Sequence, residues 1–277
     1  MTLEQSRPHR RGWTSGTNRS PRLLLLSLPL LLLLAVPILM LVARTTPAAV
    51  LHELSSPETQ DAIRLSLLTS GVALVVSMLL GAPLAYWLAR SPSRSAMLVQ
   101  TLVDLPTVLP PSVAGVALLL AFGRNGPLGG WLESLGVEIA FTPVAVVMAQ
   151  VFVASPYFVR AARAGFASVQ GEVREAALID GASGFRLFRH VVAPLAARSI
   201  GAGAAMCWSR AVGEFGATII FAGNMQGRTQ TMPLAVYLGF EHGLDRALVL
   251  STVLIAMSLL VLLTVRLLGW RGEGAEQ

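Results

Sequence analysis

From Leu23 to Ala43 the chain carries no charged residue and hardly a polar one. About 20 apolar residues are what a helix needs to cross the hydrocarbon core of a bilayer. A cleavable secretory signal has an apolar core of only about 7–15 residues, so this run reads as an uncleaved first span. Five more apolar stretches follow, near 63–89, 99–122, 143–163, 197–222 and 247–268. Hydrophobic residues make up 54% of the 277, charged residues only 13%, and mean hydropathy is +0.65. A soluble domain would carry about 25% charged residues. The expectation is an all-α integral membrane protein with six transmembrane helices, which puts both termini on one side.

The charge pattern orients these spans. All 21 basic residues are Arg, and the formal net charge is +6. A basic excess can signal nucleic acid, but here the arginines flank apolar runs, so topology is the simpler cause and no nucleic-acid partner is expected. Fifteen of them fall in the segments 1–22, 90–98, 160–198 and the C-terminus. The opposite loops hold Arg44, Arg124 and Arg228, with Glu53, Glu58, Asp61, Glu133, Glu138, Glu241 and Asp245. The positive-inside rule then predicts that both termini and the 172–194 segment are cytoplasmic.

The absence of Lys excludes a phosphate-loop lysine, a Schiff base and a lysine general base. His9, His52, His190 and His242 lack metal-ligand spacing, and the single Cys207 excludes an internal disulfide. No nucleophile–base pattern supports an enzyme. If ATP drives this protein, another chain binds it.

Between the apolar blocks lies Glu172–Pro194, EVREAALIDGASGFRLFRHVVAP. Phe166, Val169, Val173, Ala176 and Ala177 share a helical face. Asp180-Gly181 ends that helix, because Gly accepts the left-handed conformation. Ser183 is placed to cap a second short helix with Phe185, Phe188 and Val192, and Pro194 marks the next element. The pattern suits a partner-docking surface and a loop at the lipid interface alike.

Two groups of unusual residues lie inside the apolar spans. Asp104 opens a run to Ser112 in which Pro106, Pro110 and Pro111 remove backbone donors, so the helix should kink or break there. Such backbone is tolerated at membrane depth only inside protein or beside a wet cavity, which leaves a pathway lining or a packing kink. Arg210 and Glu214 are four residues apart, hence on one helix face, as a gate pair or a structural ion pair. Gly201, Ala202, Gly203, Ala204 and Ala205 allow close helix packing.

Glu175-Ala176-Ala177, then Gly181, then Val191-Val192-Ala193-Pro194 resembles the EAA motif of binding-protein-dependent ABC permeases, with Val and Ala where the family has Ile and Leu. Phe122–Gly129 (FGRNGPLG), the Leu-Pro-Pro run, and the stretches Glu214–Asn224 and Gly227–Tyr237 resemble the molybdate type more than its sulfate relatives. The resemblance covers roughly 60–268. It implies a type I ABC importer transmembrane domain in the bacterial cytoplasmic membrane, importing molybdate and possibly tungstate. The implied partners are a second copy of the chain (a homodimer), two ATPase subunits that hold ATP and Mg, and a periplasmic or lipid-anchored molybdate-binding protein. This chain itself is expected to bind no cofactor or metal. The implied domain limits are 1–21 tail, 22–59 first span and external loop, 60–268 transmembrane domain with a coupling loop at about 165–194, and 269–277 tail. Glu175, Ala176, Ala177, Gly181 and Pro194 become ATPase-coupling candidates. Arg210, Glu214 and Thr218 become pathway or gate candidates by resemblance to a gating fifth span, beside Pro106, Pro110 and Pro111 from the proline run. The alternatives are a sulfate or thiosulfate permease and an ion-coupled secondary anion transporter.

Overall fold

The computed structural model describes residues 21–273, with side chains described over 25–240 and 243–264. The basic tail expected over 1–21 lies outside the described residues, except Pro21. That residue begins α1, Pro21–Arg44, a 24-residue helix with Pro29 and Pro37 inside it. Its side chains from Leu25 onward are exposed or half-exposed leucines, valines and alanines, as lipid contact requires. It forms one compact unit of the chain, and residues from Arg44 on form another.

The second unit is a succession of helices, with no strand among the described residues. These are α2 (Pro47–Ser55), α3 (Pro57–Arg90), α4 (Arg94–Val108), α5 (Pro111–Phe122), α6 (Pro127–Ser134) and α7 (Pro143–Ala167). They are followed by α8 (Gly171–Ile179), α9 (Gly184–Leu195), α10 (Ala197–Val212), α11 (Gly216–Phe221), α12 (Met232–His242) and α13 (Leu244–Glu273). Ser/Thr-Pro pairs start three of them. Thr46, Ser56 and Thr142 each accept a backbone N–H through the side-chain oxygen, and the following Pro occupies the first helical position, where its missing donor costs nothing.

Four helices are long and apolar enough to cross a membrane: Leu25–Arg44, Pro57–Arg90, Pro143–Ala167 and Leu244–Thr264. Two bent pairs bring the number up to six if each is one span: α4 with α5 at 116°, and α9 with α10 at 77°. One expectation is met and one corrected. The stretch 99–122 breaks at the proline run as expected, into two helices parted at Leu109-Pro110. The stretch 197–222 is interrupted at Gly213–Phe215. The last helix also runs to Glu273, past the expected limit at 268.

The first break has a direct steric cause. Each residue before a proline is pushed out of the helical region. Leu109 precedes Pro110 and has φ −66°, ψ 137°; Pro110 precedes Pro111 and has φ −55°, ψ 135°. Two extended residues in succession turn the chain sharply. Pro106, by contrast, is accommodated within α4.

α7 is the centre of the second unit. α3 lies parallel to it, with Gly81 against Phe158 and Val159 and Tyr86 against Phe166. α10 lies antiparallel, with Gly165 against Ser199 and Gly203 against Ala161 and Phe158. Ala73, Ala154, Phe158, Ala162, Cys207 and Ala211 form the core between these three helices, and Cys207 is 0% exposed. The small residues read in α10 thus do unequal work. A Cβ on Gly203 would lie 2.7 Å from Ala161 Cβ, whereas one on Gly201 would meet nothing within 4 Å. Gly203→Leu is expected to cost about 1–3 kcal/mol by overpacking. It should lower the thermal unfolding midpoint in detergent, while Gly201→Leu leaves it unchanged. Equal midpoints for the two variants would contradict this packing.

Candidate functional site

Two places in the second unit hold the residues singled out by the sequence. The first is the segment α8–α9. α8 ends as expected, at Asp180 with Gly181 at φ +85°. The N–H of Ala182 bonds the Ala177 carbonyl at 2.9 Å and that of Gly181 bonds Leu178 at 3.1 Å. This double closure satisfies the last carbonyls and needs a left-handed residue at position 181. The face expected to run from Phe166 to Ala177 is split, however. Phe166 belongs to α7, Val169 is buried in the link, and only Val173, Ala176 and Ala177 lie on α8. Ser183 precedes α9 but makes no capping hydrogen bond through its side chain.

The two helices are held differently. α9 is anchored: Leu187 and Val192 are buried, and Phe188 meets Tyr86 of α3 and Phe166 of α7 edge-on, at centroid distances of 5.1 and 5.6 Å. Phe166 and Tyr86 complete the triangle at 5.6 Å, a favourable geometry for aromatic pairs. Residues Phe188–Val192 widen into a π-helical turn. Pro194 explains it, since in an α-helix its ring would clash with the carbonyl four residues back and it has no N–H to give. α8 has no buried residue. Glu175 and Ala176 are exposed, Ala177 is half-buried, and Pro194 is exposed at the far end of α9. Leu178, Ile179 and Phe185 are 48%, 86% and 71% exposed around Gly181. The result is an apolar knob with a carboxylate beside it, rooted through aromatic rings in the ends of α3 and α7.

The second place is where the two chain breaks meet. A Cβ on Gly216, the first residue of α11, would lie 2.7 Å from Pro111 Cβ, the first residue of α5. The starts of two short helices therefore abut. Arg210 and Glu214 do pair, at 2.6 Å between Nη1 and Oε2, but not across one helix face. α10 ends at Val212, so Glu214 sits in the gap. Its Oε1 accepts the Ala217 N–H at 2.8 Å, so one carboxylate bridges the last turn of α10 and the first turn of α11. Negative charge at a helix start is favourable, which offsets part of the cost of burying Glu214, only 1% exposed. Thr218 is fully buried one turn on, and its hydroxyl has no partner among the described residues. Pro106, Pro110 and Pro111 lie on the α4–α5 side of the same region and remain half or fully exposed.

Sequence reasoning passed over a third group. Arg160 of α7 donates to Asp104 Oδ1 at 2.6 Å and to Thr107 Oγ1 at 3.1 Å. Gln100 donates to Asp104 Oδ2 at 2.8 Å and accepts from Arg163 at 2.9 Å. This ladder fastens α4 to α7 just before the proline break. Asp104 and Arg160 are 56 residues apart in sequence, so no local pattern could have joined them. On the loop that follows α5, Arg124 bridges Glu133 at 2.9 Å and Glu138 at 3.0 Å, and these carboxylates raise its pKa above the ordinary value. Glu53 and Glu58 pair with Arg246 at 3.3 and 3.5 Å.

The comparisons with known proteins agree with this architecture. Residues 79–270 match the family described as binding-protein-dependent transport system inner membrane component. The chain is 40% identical over 212 residues to the molybdenum transport system permease protein ModB of Mycobacterium tuberculosis, covering 76% of this chain and 80% of that one. It is 33% identical over 229 residues to the sulfate transport system permease protein CysW of Escherichia coli, covering 82% and 79%. A bacterial ABC transporter involved in the import of alginate has the same fold, with TM-score 0.69 at 16% identity over 93% of this chain and 96% of that one. This chain belongs to the binding-protein-dependent transport system inner membrane components and is the permease subunit of an ABC importer, a transport component rather than an enzyme.

Proposed function

We propose that this permease imports molybdate, with tungstate as a close analogue, delivered by an external binding protein to a cavity between two copies of the chain. The observation that carries the reading is the 40% identity to ModB against 33% to CysW over similar spans. Two of the chain segments that resemble the molybdate type, 122–129 and 214–224, hold the turn at Arg124 and the helix break at Glu214. Sulfate is the second reading, because CysW is also a clear relative.

The mechanism follows from the two sites. ATP and Mg bind to two partner ATPase subunits, and this chain receives their motion. α8 and α9 dock on the ATPase, with Leu178, Ile179 and Phe185 in a groove and Glu175 making a polar contact. Gly181 shapes the turn, Ala176 and Ala177 let the surfaces approach closely, and Pro194 ends the segment. The arginine asymmetry supports placing this segment and both termini in the cytoplasm. The aromatic triangle transmits displacement of α9 to α3 and α7. At the other site, Arg210, Glu214 and Thr218 on one side and Pro106, Pro110 and Pro111 on the other form the gate. Broken helices suit that role, since irregular backbone at membrane depth belongs beside protein or a wet cavity.

The test is reconstitution of the permease in liposomes with its ATPase and binding protein, with molybdate, tungstate and sulfate in competition. Molybdate uptake that requires ATP and all three components is the expected result. Uptake of sulfate in preference to molybdate would overturn the substrate, and uptake without the ATPase would overturn the coupling scheme.

A further inference from the structure

Beside the Arg160–Asp104 ladder, at the ends of α3 and α7, lies an open cleft of about 480 Å³. Its wall brings together Arg90 from α3, Arg163 from α7 and Arg174 from α8, with Ser91 and Pro92 of the connecting turn and Leu88 beneath. No carboxylate lines it among the described residues. An adjoining cleft of about 500 Å³ shares Leu88, Ser91, Pro92 and Arg163 and adds Arg94 and Met97, again with no acid among the described residues.

Three guanidinium groups on one wall with no counter-charge among the described residues repel one another, and two of the three are held by neighbours. Arg90 donates to the Tyr86 hydroxyl at 2.6 Å, and its Cζ lies 5.2 Å from the centre of that ring. Arg163 uses one nitrogen on Gln100, leaving others available. Arg174 is half-buried, and its guanidinium makes no hydrogen bond or ion pair among the described residues. The acid on the neighbouring helix, Asp104, is occupied by Arg160 and Gln100. On α8, Glu172 and Glu175 are absent from the wall. The wall thus offers several guanidinium donors, whose planar forks suit a tetrahedral oxyanion group.

What surrounds it selects the source of that group. Two long apolar helices end here. Trp87, 42% exposed, lies near the end of α3 and next in sequence to Leu88 of the cleft, and aromatic residues near the ends of spans mark a lipid boundary. Met97, which lines the adjoining cleft, and its neighbour Leu98 are 68% and 71% exposed. A phosphate group with acyl chains attached satisfies both halves, whereas a free ion would leave the apolar half bare. We propose that this cleft holds the phosphate headgroup of an anionic phospholipid, with the acyl chains lying along Met97 and Leu98.

The experiment uses the full chain in nanodiscs of phosphatidylcholine containing a minor fraction of phosphatidylglycerol. Retained lipid is identified by mass spectrometry after detergent release. The chain is expected to keep phosphatidylglycerol selectively, and Arg163→Gln combined with Arg174→Gln should lower retention about tenfold or more. Arg189→Gln with Arg198→Gln removes equal charge elsewhere and should change nothing. A titration with inorganic phosphate separates the sources: protection of the chain by phosphate alone, equal to that by the lipid, would make this a free-oxyanion site and overturn the proposal. Unchanged lipid retention in the Arg163/Arg174 variant would also overturn it, even if assembly with the ATPase were weakened, since the cleft would then be a protein contact. The outcome is independent of whether the cargo is molybdate or sulfate.

Discussion

Glu175→Arg is expected to abolish ATP-dependent uptake while leaving the permease folded. Glu175 is exposed on a helix with no buried residue and has no ion pair among the described residues, so reversing its charge removes nothing from the fold. At a docked surface the same change places a cation where an anion was accommodated. Such a misplacement costs about 2 kcal/mol or more, equivalent to about thirtyfold in occupancy of the coupled state. Gly181→Val should act on the same segment by another route. At φ +85° a branched side chain costs about 1–2 kcal/mol, and the closure of α8 by Ala182 and Gly181 would open. Both variants should leave the membrane spans folded and lose substrate transport, with ATP hydrolysis no longer responding to the binding protein. Normal transport by both would remove the coupling role from α8.

Arg210→Ala should have the opposite signature, a large loss of stability. It leaves the Glu214 carboxylate, 1% exposed, with only the Ala217 N–H to balance it. Removing one partner of a buried ion pair costs about 3–5 kcal/mol, because the remaining charge stays desolvated. The expected observable is a lower unfolding midpoint, with little folded protein recovered in the worst case. Arg210→Gln combined with Glu214→Gln separates structure from gating. That double variant buries no net charge, and the amide oxygen introduced at position 214 can still accept the Ala217 N–H. Its stability should recover most of the loss, a coupling visible only in the double variant. If stability returns and ATP-dependent uptake does not, the charges serve the pathway. If both return, the pair is a structural tie, and the gate assignment falls. Loss no larger in Arg210→Ala than in an exposed variant such as Arg198→Ala would show that the pair is not buried in the working protein.

What could be read from the chain follows from which forces act locally. Apolar length is a local property, so the spans at Leu23–Ala43, 63–89, 143–163 and 247–268 all correspond to helices. The steric effect of proline is local too, and the break at Leu109–Pro111 was legible for that reason. Its 116° angle was not, because two successive extended residues set only a turn, and the packing of Gly216 on Pro111 and of Gly115 on Ala217 sets its size. The Arg210–Glu214 spacing was read as a helix face. The helix stops at Val212, short of what that reading needs, and the pair survives only because Glu214 swings back across the gap. Gly181 was legible down to its conformation. Tyr86, which roots α9 in the bundle, was invisible, since its partners lie 80 and 102 positions further along the chain.

Cys207 is sealed between α3, α7 and α10, and the sequence holds no second thiol and no lysine. Thiol-directed dyes and spin labels thus meet no native side chain in the folded molecule. Cysteines introduced at Ile179 on the knob and at Ser112 beside the helix break, both exposed, would carry the only labels. Spectroscopic distances between them in a transporter at work can be collected on a chain that keeps every one of its other natural residues.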